Sequence, residues 1–160
     1  LIDDILDYLN QFIARDGTDD LERRWVAQQT HNAAVQALLP HLRTRDIRIV
    51  AAVGQHQPLP QKKLPMLVGT SQATASRAVS RLADNELLIR ERMPDNAKEW
   101  QLRLTTNGAE LARLKGLLDE RLHQAALQVA SHYTPAELTR FNQLLGELLQ
   151  LSSKTFQDID

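Results

Sequence analysis

Apolar residues recur along this chain with two periods, and the change of period marks its plan. Over most of the length they fall at three- and four-residue steps, the spacing of one helix face. A first stripe runs through Ile2, Ile5, Leu6, Leu9, Phe12 and Ile13 before Asp16-Gly17-Thr18-Asp19 interrupts it. Thr18 or Asp19 is placed to cap a second helix bearing Leu21, Trp25, Val35, Leu38 and Leu39, which Pro40 ends. Thr44 is predicted to cap a short helix through Ile47, Val50, Ala51 and Val53, and Pro58 and Pro60 mark a turn. Pro65 sits early in the next helix, where the first N–H groups lack partners anyway. Gly69 then separates it from a helix with Ala75, Ala78, Val79 and Leu82 on its inner face.

From Leu87 the period shortens to two. Leu87, Ile89 and Glu91 alternate with Leu88, Arg90 and Arg92; MPDNAK interrupts; Trp100, Leu102 and Leu104 alternate with Gln101, Arg103 and Thr105. Alternation on both sides of a Pro/Asp/Asn tip predicts a hairpin. Helical spacing returns after Gly108, as Leu111, Leu114, Leu118, Leu122, Ala125 and Val129. Thr134-Pro135-Ala136-Glu137 starts a last helix with Leu138, Phe141, Leu144, Leu145, Leu148 and Leu149 along one side. The expected fold is mainly α with a small β-hairpin wing: a winged helix-turn-helix over 44–108, flanked by helical dimerisation layers at 1–43 and 109–160. A lobe of some fifty residues offers too little surface to cover those flanking stripes, so a second copy is expected against them.

Two short helices, a glycine turn and a hairpin form the order that sets one helix into the DNA major groove. Here that helix is TSQATASRAVSRL, capped by Thr70 or Ser71. Its outer face carries Gln72, Thr74, Ser76, Arg77, Ser80 and Arg81, with no acid before Asp84. Arg grips guanine O6/N7 with two bonds, Gln does the same for adenine, and Thr touches a thymine methyl. An ordinary solvated amphipathic helix would look similar in isolation; its place between a helix and a hairpin argues for DNA. Gln72, Thr74, Ser76 and Arg77 are therefore expected to read bases. Lys62, Ser80, Arg81, Arg90 and Lys98 are expected to hold phosphates.

The run from Leu64 to Gly108 resembles the MarR family of bacterial transcription regulators. The residues that carry the resemblance are Leu64, Gly69, Ser71, Thr74, Ser76, Arg77, Val79, Arg81, Leu82, Leu87, Leu88 and Arg90, then Leu104, Thr105 and Gly108. It implies a homodimeric, cytoplasmic regulator, a repressor whose grip on a near-palindromic operator in double-stranded DNA responds to a small-molecule effector. Two departures stand out. Asn85-Glu86 replaces the glycine that usually ends the recognition helix, so Asn85 is expected to take the left-handed cap. The wing lacks the usual Asp-x-Arg, leaving Lys98 as the expected wing-tip cation.

Charge and composition refine this picture. The net charge is −1, yet residues 60–108 hold eight basic and five acidic side chains, a local excess of three. Only 4% of residues are aromatic, as suits a helical protein built on Leu and Ala. There are no cysteines, which excludes disulfides, thiolate metal sites and cysteine nucleophiles. No membrane span and no basic-then-apolar leader are visible. The sequence starts on Leu1 instead of Met, which leaves a preceding segment open.

Chemistry beyond DNA binding has thin support. No phosphate loop, nucleophile elbow or H-E-x-x-H stands in the chain, so neither an enzyme nor a cofactor is expected. Of five histidines, His123 lies four residues after Asp119, which keeps a metal-dependent sensor as one rival reading. A winged-helix module that binds protein is the other. Gln28 and Asn32 fall within the stripe of the second helix beside Trp25, and this polar gap is the candidate ligand pocket.

Overall fold

The computed structural model describes residues 3–5, 7, 8 and 17–155, without the side chains of 17–20, 149 and 151–155. Most of the first apolar stripe, and the side chains of Thr18 and Asp19, lie outside the described residues. The described residues fall into two compact units that divide after Leu118.

Helices α1 (Gly17–Gln29) and α2 (Ala33–Leu38) lead through a 3₁₀ turn at Leu39–His41 to α3 (Thr44–His56). A two-residue strand β1 (Leu59–Pro60), a second 3₁₀ turn and α4 (Leu64–Val68) precede α5 (Gln72–Asp84). Strands β2 (Leu88–Met93) and β3 (Asn96–Leu104) follow, then α6 (Thr106–Ala130) and α7 (Pro135–Thr155). The sheet is antiparallel in the order β1-β3-β2.

Three local predictions change. The single helix expected over 19–39 is two helices, because the Asn32 side chain caps α2 by accepting from Ala34 N and Val35 N. Thr44 does not cap α3; that start is closed by Asp46, whose Oδ2 accepts the Arg43 N–H at 2.9 Å. The turn expected at Pro58 and Pro60 contains a third strand, with Leu59 opposite Leu102 and Pro60 opposite Gln101. A proline is admissible there because β1 is an edge strand.

Val26, Val35, Leu39 and Leu42 from the first helices share one core with Ile47, Ile49, Val50 and Val53 of α3 and with Leu64, Ala75, Val79 and Leu82. Leu87, Leu102, Leu111 and Leu114 complete it. The interrupted strand pattern reads correctly, but the tip is only Pro94-Asp95, since Met93 pairs with Asn96 across a register shift after Arg92. Within 119–160, Leu122, Val129 and Phe141 are 59%, 61% and 54% exposed, so the long stripe of α6 continues into surface.

Candidate nucleic-acid interface

Helix α5 is held by both ends and by its inner face. Ser71 caps it, its Oγ accepting from Thr74 N and donating to Thr74 Oγ1 at 2.9 Å. Ala75, Ala78, Val79 and Leu82 are buried as expected, three of them completely. Small residues at 75 and 78 bring the helix close to its neighbours, and Gly69, with φ of 64°, supplies the left-handed turn out of α4.

The exit of α5 corrects the cap prediction. Asn85 stays right of the left-handed region at φ −85°, and Glu86 takes φ of 55°. Glu86 N donates to Ala83 O and Leu87 N to Leu82 O, both at 2.9 Å, the paired bonds of a Schellman motif. Thr105 then ties this exit to the start of α6. Its hydroxyl donates to Glu86 O at 2.6 Å and accepts from Gly108 N at 3.0 Å. A side chain at position 108 would place its Cβ 2.0 Å from Leu87 O, so only glycine fits. Thr105 and Gly108 thus hold the helix exit in place.

Gln72, Ala73, Arg77 and Ser80 are exposed on α5, while Thr74 and Ser76 are half-buried. Ala73, absent from the sequence-based expectation, stands at the centre of this face, four residues before Arg77. Its methyl group suits a thymine methyl, and a helical wheel centred opposite Ala75 and Val79 would have found it. Ser80 Oγ donates back to Ser76 O at 3.2 Å, so that hydroxyl still accepts.

The basic side chains fall into two sets. Arg81 was expected to face phosphates, but its Nη2 donates to Oδ1 of Asp46, a carboxylate with no exposed surface. That carboxylate also takes the Arg43 N–H, so one buried group fixes the start of α3 and the last turn of α5 together. Arg81 therefore positions the helix. Lys62 is exposed but bonded to Glu99 Oε1 at 2.7 Å, and Arg103 is bonded to Glu91 at 2.8 Å. The Arg103 guanidinium, followed by the Gln101 amide, holds Glu91 below its ordinary carboxylate value of 4.5. Arg77, Arg90 and Lys98 have no ion pair among the described residues. Arg90 and Arg92 both lie over the Trp100 ring, their Cζ atoms 4.1 and 3.8 Å from its centroid.

The residues expected around a ligand are dispersed in role. Trp25 is half-buried against the core, Gln28 is exposed, and Asn32 Nδ2 donates to Asn107 Oδ1 at 2.8 Å. A groove of about 270 Å³ is lined by Arg23, Arg24, Ala27, Gln36, Leu39 and Pro40, and by none of these three residues. No cluster of three or more His, Asp or Glu that could hold a metal occurs among the described residues. Among those residues, no helix is long and apolar enough to cross a membrane.

Residues 43–100 match the MarR family model. The HTH-type transcriptional regulator YhjH of Bacillus subtilis (strain 168) is 28% identical over 104 residues, covering 65% of this chain and 59% of that protein. The match thus spans under two thirds of that relative's length. The adhesin competence repressor AdcR of Streptococcus pyogenes superposes with a TM-score of 0.72 at 16% identity, over 94% of this chain and 96% of its own. FabT of Streptococcus pneumoniae, in complex with DNA, has a TM-score of 0.61 at 14% identity, over 94% and 99%. The winged helix-turn-helix architecture read from the periods is the fold of these proteins.

Proposed function

We propose that this chain, whose residues 43–100 match the MarR family model, is a transcriptional regulator of that kind that acts as a homodimer on double-stranded DNA, reading a near-palindromic operator. The observation that carries this is the outer face of α5: Gln72, Ala73, Ser76, Arg77 and Ser80 in a row, with Arg77 in no ion pair among the described residues. Two copies of that helix would enter successive major grooves about one helical turn apart. Gln72, Thr74, Ser76 and Arg77 read bases; Ser80, Arg90 and Lys98 contact phosphates, and Lys62 joins them if it releases Glu99.

Uncovered Leu122, Leu127, Val129, Tyr133 and Phe141 support the dimer, because side chains of this size gain by leaving water. FabT in complex with DNA supports the DNA reading by analogy of fold. The regulator is proposed to be a cytoplasmic repressor whose small-molecule effector binds at Trp25, Gln28 and Asn32, the polar gap in the apolar stripe of the first helices. An effector shifts the dimer between two geometries only by its differential affinity for them.

Selection of bound genomic fragments by the purified protein tests DNA recognition and yields the operator. Arg77→Ala is expected to cost about 1–3 kcal/mol on that operator and to blunt its preference over random sequence. Operator binding equal to wild type in that variant would remove Arg77 from the reading set. Sedimentation that shows one chain per particle at high concentration would remove the dimer.

A further inference from the structure

We propose that the wing grips the duplex through Arg92, backed by Arg90, and that Trp100 is the positioning residue that keeps both guanidinium groups ready for phosphate oxygens. The inference rests on the DNA-binding reading above and moves the chief wing contact from Lys98 at the tip to the strand behind it.

The sheet register creates the arrangement. Arg92 lies opposite Trp100, and Arg90 lies opposite Leu102. Opposed residues of an antiparallel pair project to one face, as do residues two apart on a strand. Arg90, Arg92 and Trp100 therefore share a face, and both Cζ atoms come within 4.1 Å of the ring centroid. An arginine stacked in this way has its plane covered while its N–H edge stays open to phosphate oxygens. Arg92 is tied further by donating from Nη1 to Lys98 O at 3.3 Å.

The neighbouring acids do not neutralise this pair. Glu91 bonds Arg103 and Gln101, and Glu99 bonds Lys62. Neither Arg90 nor Arg92 forms an ion pair among the described residues. Two like charges beside one ring repel, and an anion placed between their edges relieves that repulsion. Arg90 Nε is buried without a hydrogen-bond partner, which leaves the terminal Nη groups of Arg90 to meet a phosphate. Lys98 differs in kind: it is exposed, and only its backbone is bonded. A free lysine must surrender rotamer freedom on binding, whereas the stacked arginines are already ordered.

The test uses the full chain and a labelled duplex of about 30 base pairs of mixed sequence, titrated with salt. Arg92→Ala is expected to weaken binding about tenfold and to lower the slope of log K against log salt by about one per chain. Lys98→Ala is expected to weaken it less than about threefold. Trp100→Ala should lose affinity while keeping the wild-type slope, since both charges remain, and Trp100→Phe should recover most of the loss. In a Trp25→Phe background Trp100 is the one remaining tryptophan. Its emission should change on adding the duplex, and Arg92→Ala should abolish that change. Wild-type binding by Arg92→Ala, with the slope unit lost in Lys98→Ala instead, would overturn the proposal, as would an emission change that survives Arg92→Ala. A wild-type protein with no salt-sensitive retention would instead overturn the DNA reading itself. If Trp100→Ala fails to fold on its own melting curve, the Arg92→Ala slope and the emission change decide the matter.

Discussion

The unit up to residue 118 and the unit from 119 onward carry the same kind of leucine stripe and treat it in opposite ways. Leu111 and Leu114 of α6 are buried completely or nearly so, whereas Leu122 and Leu127, farther along the same helix, are 59% and 49% exposed. Periodicity along a helix therefore says which residues share a face but not whether that face has found a cover. The first unit has closed its core within one chain. The second has not, and its stability should depend on protein concentration if another copy supplies the missing surface.

Glycine replacement gives the largest contrast. Gly108→Ala would drive a Cβ against the Leu87 carbonyl, which is backbone and cannot swing aside, so a loss of at least about 4 kcal/mol is expected by denaturant titration. Gly146→Ala, in α7, meets nothing within 4 Å and should stabilise that helix by up to about 1 kcal/mol. Destabilisation by Gly146→Ala that grows with protein concentration would mean that a second copy packs against that glycine.

Next in size is the Asp46 carboxylate. Asp46→Ala removes the Arg43 closure and frees Arg81, and should cost about 2–3 kcal/mol in thermal or urea unfolding. Arg81→Ala should weaken DNA binding without changing its salt slope, because the guanidinium, although 42% exposed, is already paired with the buried Asp46 carboxylate; a slope reduced by about one would return Arg81 to the phosphate contacts. Glu86→Gly relieves a left-handed residue that carries a Cβ, and should stabilise the first unit by about 1 kcal/mol.

The smallest effect is in acid. In α7 the Thr134 N–H, and then its hydroxyl, hold Glu137 below its ordinary 4.5. A carboxyl depressed in the folded state stabilises it fully above about 4.5, and that contribution disappears as pH falls through the lower folded value. Glu137→Gln should flatten the acid limb of α7 helicity measured by circular dichroism, while leaving the neutral limb nearly unchanged.

Helices α3 to α7, the hairpin and the inner face of α5 were legible from spacing alone, because a helix or strand face is a local property of the chain. So was a hydroxyl cap at Thr70 or Ser71, and the structure uses Ser71. The departures arose where partners lie far apart in sequence. Asn32 divided a helix by capping α2 and reaching Asn107; Leu59-Pro60 became a strand by pairing with Gln101 and Leu102. Glu86 took the left-handed cap that Asn85 was expected to hold, in a helix exit that Thr105 clasps from beyond the hairpin.

The order of elements, the absence of any thiol chemistry and the polar, arginine-bearing face of α5 are properties of the amino-acid sequence itself. Which cations remain available to phosphate was decided only when the chain closed. The eight basic residues from 62 to 103 are alike as letters only until Asp46, Glu91, Glu99 and Trp100 come within reach. Charge is written in the sequence, but its availability is set by Coulomb and stacking partners within a few ångströms, and those distances exist only in the folded protein.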